Sequence, residues 1–182
     1  MEGAETVVGV DFSATQLEHA RRLRDLYGVE TKFVEGDVTR LPLADDAFDV
    51  AFSGWIVQMI EELDAYLTEA RRVLRDDGVL VFDLPNPFYE CFDPATESLE
   101  RSYHDGGQRS ITIDEDYDAD LTAFDRKVGA LHNATVDAGF DVRRILEPGS
   151  ADPDDYDDPL DSNRPALMAQ VPRTLRFWAV VR

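Results

Sequence analysis

Two apolar runs that each end on a carboxylate, one strand–helix period apart, constrain this chain more than any other feature. Thr6-Val-Val-Gly-Val-Asp11 is Val-rich and bounded by polar residues, which predicts a buried strand over 6–11. Ser13 follows as an N-cap, and Gln16 three residues on completes a capping box. Leu17, Ala20, Leu23 and Tyr27 mark one helix face, and Gly28 stops the helix. Thr31-Lys-Phe-Val-Glu-Gly36 is the next strand, with Asp37 just beyond it. Successive strands of such units run parallel, so both acids reach the carboxyl edge of one sheet, where ligands of open α/β sheets sit. Asp11 can accept from both hydroxyls of a ribose. Asp37 can accept from an exocyclic adenine amine, with Phe12 and Val38 as apolar walls for the base. Either acid alone would be read as a cap or turn residue; the matching pair favours a nucleoside site.

The alternation continues. Phe48-Asp-Val-Ala-Phe-Ser53 is a third strand, and Leu63, Tyr66, Leu67, Ala70, Val73 and Leu74 fall at helical spacing over 62–75. Asp76-Asp77-Gly78 is expected to end that helix before a fully buried strand, Val79–Leu84. This predicts a doubly wound α/β sheet in one domain, 1–182, with a cofactor half over 1–84. Residues 85–119 are rich in aromatics and turn formers, and read as a substrate-side insertion. In it, Ser98–Tyr103 and Arg109–Tyr117 are expected to pair around Asp105-Gly106-Gly107. The C-terminal part, 120–182, is expected to hold a helix over 120–138, a strand over 140–146, an acidic loop over 150–165 and a last strand over 173–181.

The chain has 18 basic and 38 acidic residues, a formal net charge of −20. That argues against nucleic acid or an anionic membrane surface as partner. A small-molecule ligand fits better. No stretch approaches the length of a membrane span. A single Cys91 excludes a disulfide framework and fits a reducing cytoplasm. Only Lys32 and Lys127 are Lys; acid excess with few Lys suggests a high-salt cytoplasm, where self-repulsion is screened. Thermal melts should therefore rise with potassium chloride up to molar salt, by about 2–4 °C for each kcal/mol of repulsion relieved. A flat or falling melting point would refute the high-salt reading.

Other motifs carry less. Nicotinamide dehydrogenases also place an acid on a ribose, but the Tyr-x-x-x-Lys pair of the short-chain class is absent: Gly28 and Ala123 stand four before the two Lys. His104 beside Tyr103 has the chemistry of a general base, yet a lone His in a polar hairpin is ordinarily just exposed. Asp152-Pro-Asp-Asp-Tyr-Asp-Asp158 lacks the Gly and closing Glu of a calcium loop, so no metal is expected. Asn86-Pro87-Phe88-Tyr89 resembles the Asn-Pro-Pro-Tyr signature of amino-methyltransferases of nucleic acid bases, but follows the wrong strand. No catalytic base is identified.

The ordered set Val8-Gly-Val-Asp11-Phe-Ser, Gly36-Asp37-Val38-Thr-Arg-Leu-Pro42, Phe48-Asp49-Val50-Ala-Phe-Ser53 and Arg72-Val-Leu-Arg-Asp-Asp-Gly78 resembles class I S-adenosylmethionine-dependent methyltransferases of the small-domain, type 11-like branch. Ala138-Gly-Phe140, Glu147-Pro148 and Arg173-Thr-Leu-Arg-Phe-Trp178 look like that family's end. The resemblance implies a Rossmann-like sheet with an antiparallel last strand, S-adenosylmethionine as cofactor, and methyl transfer to a small-molecule acceptor. It gives Asp11 the ribose hydroxyls, Phe12 and Val38 the adenine ring, and Asp37 the adenine amine. Ser53, with Gly54, lines the methionine portion. The family's first strand and glycine-rich loop come before the ribose acid, and here ten residues do. The expectation is a sheet lacking its first βα unit, with a gap or strained pairing between the 6–11 and 48–53 strands. The alternative is a non-catalytic fragment or interaction protein that keeps the sheet but binds cofactor weakly.

Overall fold

A computed structural model describes residues 3–93, 95–111, 121–156 and 164–182. Strand β1 (Val8–Asp11) runs into helix α1 (Ala14–Tyr27) and then strand β2 (Lys32–Glu35), which pairs parallel to β1 with Asp11 opposite Glu35. Ser13 caps α1 by accepting from the Gln16 amide at 3.3 Å, and Gly28 closes it with φ 63°. A left-handed backbone there is what glycine permits at low cost.

A second sheet has the order β3-β4-β8-β7, from β3 (Phe48–Gly54), β4 (Leu74–Pro85), β7 (Phe140–Leu146) and β8 (Thr174–Val181). β3 and β4 are parallel, while β8 lies antiparallel between β4 and β7, giving the expected antiparallel last strand. Helix α2 (Leu63–Val73) buries Leu63, Tyr66, Leu67, Ala70 and Val73. The first four meet Leu80, Phe82 and Leu84 of β4, Leu175, Phe177 and Ala179 of β8, and Leu131 of helix α3 (Val128–Asp137) in one core. Phe82 and Phe177, a register pair, stack with centroids 4.8 Å apart and planes 7° apart. The alternate residues face the other way, and Val50, Phe52 and Trp178 are exposed there.

The sheet is therefore split. β1–β2 and the four-stranded sheet share no ladder, and β1 and β3 border a largely apolar cavity of about 270 Å³. The expected gap lies here, in place of a strained pairing. Among the described residues up to Ile56, Leu17 is the one fully buried side chain, so the β1–α1–β2 unit stands outside the main core.

Three expectations are corrected. Helix α2 ends at Val73, and Asp76-Asp77-Gly78 forms an excursion within β4: Phe48 pairs with Leu74 but Val50 with Val79. Asp77 takes φ 61°, and a Cβ on Gly78 would lie 2.8 Å from the Arg75 carbonyl oxygen. The helix expected over 120–138 is a strand, β6 (Leu121–Asp125), followed by α3. β6 pairs antiparallel with β5 (Gly107–Ile111), so the partner of residues 109–111 is β6 and not Ser98–Tyr103. Asp125 draws that region together by accepting from Arg101 at 2.6 Å and Arg109 at 2.9 Å. Residues 112–120 of that expected hairpin and helix lie outside the described residues, as do 157–163 of the acidic loop. The described part of that loop holds a short 3-10 turn, Pro153–Tyr156, and α4 (Pro165–Met168) follows.

Candidate cofactor site

Because β1 and β2 are parallel and in register, Asp11 and Asp37 reach the same edge of their sheet. Asp11 Oδ1 accepts the Ser13 amide at 2.7 Å. Asp37 Oδ1 accepts both the amide and the hydroxyl of Thr39 at 2.8 Å. These bonds to the charged form, the Thr39 amide first, hold the Asp37 carboxyl below the usual carboxylate range. Both acids thus make the turn contacts that the structural reading predicted. In each the second oxygen, Oδ2, makes no protein hydrogen bond among the described residues. The ring of Phe12 is 82% exposed at that edge.

The turn after Asp37 is fixed from α2. Glu69 accepts the Leu41 amide at 2.7 Å, and Arg72 donates to the carbonyls of Leu41 at 3.0 Å and Leu43 at 2.8 Å. Arg72 also pairs with Glu69 at 2.7 Å, and this hydrogen bond is the main reason the Glu69 carboxyl stays low. The sequence showed Arg72 as part of a motif; its anchoring of the 41–43 backbone is a long-range contact that no local pattern displays.

Val38 and Ser53 come together in the cavity between the sheets, with Val8, Val10, Phe52 and Tyr66 among its other walls. Ser53 Oγ lies 2.7 Å from Tyr66 Oη, and burial pushes the Tyr66 phenol up to about 12. Tyr66 is thus a neutral partner that fixes the Ser53 rotamer. It was read as a core position on α2, and its hydroxyl contact was not legible. Asp11, Phe12 and Asp37 lie on the strand-end edge and are not among the walls of that cavity. His104 is exposed, and Cys91 is buried with its thiol on the Pro87 carbonyl at 3.3 Å.

A family model described as a methyltransferase domain matches residues 1–82. The structure of an S-adenosylmethionine-dependent methyltransferase from Mesorhizobium loti is similar with a TM-score of 0.75 at 25% identity, covering 98% of this chain and 81% of that one. The chain is similar to S-adenosylmethionine-dependent methyltransferases in sequence over residues 1–82 and has their Rossmann-like fold. Among curated relatives, the fatty-acid O-methyltransferase of Mycolicibacterium smegmatis is 26% identical over 148 residues, 78% of this chain and 53% of that protein. The demethylmenaquinone methyltransferase of Thermus thermophilus is 37% identical over 86 residues, 47% of this chain and 39% of that protein. The chain spans about half or less of the length of these two relatives.

The family's cofactor is S-adenosylmethionine, and the residues present fit its donors. Two carboxylates, each with an oxygen to spare, are acceptors for hydroxyl and amine protons. An exposed aromatic ring and Val38 offer apolar surface for a base. The described residues hold no cluster of three His, Cys, Asp or Glu side chains that could bind a metal, and no helix among them is long and apolar enough to cross a membrane.

Proposed function

We propose that this chain transfers a methyl group from S-adenosylmethionine to a small-molecule acceptor. The observation that carries the reading is the pair of strand-end acids, Asp11 and Asp37, each with a carboxylate oxygen that has no partner among the described residues, at one sheet edge. Asp11 holds the ribose hydroxyls and Asp37 the adenine amine. Phe12 packs on the base and the Val38 backbone serves the ring nitrogen. Ser53, held by Tyr66, and Gly54 line the methionine portion. The bound sulfonium supplies an already electrophilic methyl group, so the protein need only orient the acceptor and keep water out. No dedicated nucleophile is needed. The relatives' names, which specify a fatty acid and demethylmenaquinone, support a small acceptor with an apolar body. The net charge of −20 and the single buried Cys91 support a cytoplasmic protein that does not bind nucleic acid.

The split sheet favours a second reading, a non-catalytic or interaction protein that keeps the fold. Calorimetric titration with S-adenosylmethionine separates the two. Stoichiometric binding that Asp11→Ala weakens by more than about 1 kcal/mol supports the first, since hydrogen bonds to a charged group contribute roughly 1.5–3 kcal/mol. Absence of binding by the folded chain supports the second, and an unchanged affinity in Asp11→Ala refutes the ribose role.

A further inference from the structure

Two strand edges open into the cavity between the sheets. Among the described residues β1 is bonded to β2 alone, and β3 to β4 alone. Each therefore presents a row of amide and carbonyl groups on its other side. Val8 and Val10 of β1 and Ala51 and Phe52 of β3 line the cavity, and Ala70 and Val73 of α2 line it from the core side. Val50 and Phe52 border it while 60% and 66% exposed. The cavity thus reaches solvent, and a molecule from outside can enter it.

The sequence treats these two edges unlike the outer ones. Natural edge strands stay unpaired by carrying charge, Lys above all, or Pro. The outer strand β2 has Lys32 and Glu35, both exposed, and the outer strand β7 has Arg143 and Arg144, both exposed. β1 has no charge before its terminal Asp11, and β3 has none from Val50 to Gly54. These are the compositions of strands that pair on both sides.

The edges also select what covers them. A helix bonds its own backbone and would leave both rows unpaired, as would a small apolar molecule. An extended chain satisfies both rows at once and turns alternate side chains into the cavity. An apolar cavity of roughly 150 Å³ holds a benzene ring, so one of about 270 Å³ has room for about two aliphatic side chains. The four residues of β1 set the shortest useful length, about 13 Å of extended chain at roughly 3.3 Å per residue. The net charge of −20 favours basic flanks and disfavours a second copy of this chain.

We infer that the cleft between β1 and β3 is a docking site for one extended, apolar, basic-flanked segment of a second polypeptide, which adds itself as a strand bonded to both edges. Pro is excluded from its middle, because every amide there is needed. The docked strand joins β1, which ends at Asp11, to β3, which carries Ser53. It goes beyond the methyltransferase reading and does not rest on it.

The probe is the acetylated, amidated peptide Lys-Val-Thr-Val-Thr-Val-Lys, titrated by calorimetry into the intact 182-residue chain. Two further forms carry N-methyl groups, one on the three Val and the other on the two Thr. Successive amides of a strand point to opposite edges, so each form loses the donors facing one edge. The unmodified peptide should bind, and each methylated form should bind at least about tenfold more weakly. Hydrogen exchange should slow over both 8–11 and 48–54 in the complex. Val8→Asp, which puts a charge on the apolar wall, should weaken binding by about tenfold or more; the methylated peptides on the native chain decide the matter even if that variant fails to fold. No binding at about 1 mM peptide, equal affinity of either methylated form, or protection of one edge alone would overturn the inference. So would a dimer, seen by light scattering, whose edges are already protected without peptide. S-adenosylmethionine is left out of these samples, so failure of the methyltransferase reading leaves the result untouched.

Discussion

Amide hydrogens of β1 and α1 should exchange with solvent at least ~1000-fold faster than those of β4 and β8. Opening free energies run from near zero in weakly packed segments to the global value, roughly 5–15 kcal/mol for a domain, and a factor of ~1000 needs only about 4 kcal/mol of that range. β1 and β2 share four register pairs. Among the described residues up to Ile56, Leu17 of α1 alone is fully buried. The free edge of β1 borders the cavity, where β3 does not reach it, and unpaired strand edges are points of weakness. β4, by contrast, is paired on both sides, and its Leu80, Phe82 and Leu84 lie in the main core. The 37–47 segment is tied to the rest by Glu69, Arg72 and Arg75 on backbone groups of Leu41, Leu43, Asp46 and Ala47, and by the Asp46 and Ala47 amides, which donate to the Arg72 and Val73 carbonyls at 2.9 Å. Native-state exchange read by mass spectrometry checks this peptide by peptide. Uniform protection across β1 and β4 would show that the two sheets unfold as one unit. Saturating S-adenosylmethionine should slow exchange at 8–13 and 35–39 selectively, because a ligand that binds only the folded unit adds to its stability.

The first half of the chain was legible because its signals are local. Ser13, Gln16 and Gly28 mark both ends of α1 through contacts within one turn, and the structure shows the Ser13 cap and the left-handed Gly28. The strand ending at Asp11 follows from a Val-rich run, and the one near Asp37 from Phe33-Val34 bounded by turn residues. The periodicity of 62–75 gave α2, since its buried positions 63, 66, 67, 70 and 73 repeat with the helical turn. Legibility failed where one pattern serves two periods. Leu121, Phe124, Val128 and Leu131 lie three or four apart, which suits a helix. Yet Ala123 is fully buried between Leu121 and Asp125 on β6, at the spacing of a strand. What decides between them is distant: Arg126 donates to the carbonyls of Ile60 at 2.5 Å and Glu61 at 2.7 Å, and β5 supplies the ladder. The Asp76–Gly78 excursion was missed for a related reason. Asp-Asp-Gly is a good helix stop, but Leu74 was already committed to pairing with Phe48. At the candidate site, the residue types and their order along the chain were readable. The bond between Ser53 and Tyr66 was not, since it depends on how α2 packs against β3.

Phe177→Ala should cost about 3–5 kcal/mol, and Phe52→Ala within about 0.5 kcal/mol of nothing, although the two residues share one sheet and one side-chain type. Phe177 is fully buried and stacks on Phe82. Truncation removes a large apolar side chain, opens a cavity under α2 and loses an aromatic pair of about 0.5–1.5 kcal/mol. Phe52 points to the opposite face and is 66% exposed, so its ring has little burial to lose. For a domain of this size the first change lowers the melting point by roughly 10 °C or more, at about 2–4 °C per kcal/mol. Urea melts of both variants measure the difference, with midpoint shifts at unchanged slope reporting stability alone. The consequence reaches Asp83, because Arg176 is the neighbour of Phe177 on β8 and its guanidinium holds that carboxylate. Conservative Phe177→Leu should cost less than Phe177→Ala and keep the Asp83 carboxyl resonance near its native position, while Phe177→Ala should broaden it. A small cost at Phe177 together with a large one at Phe52 would mean that the faces have been assigned the wrong way round.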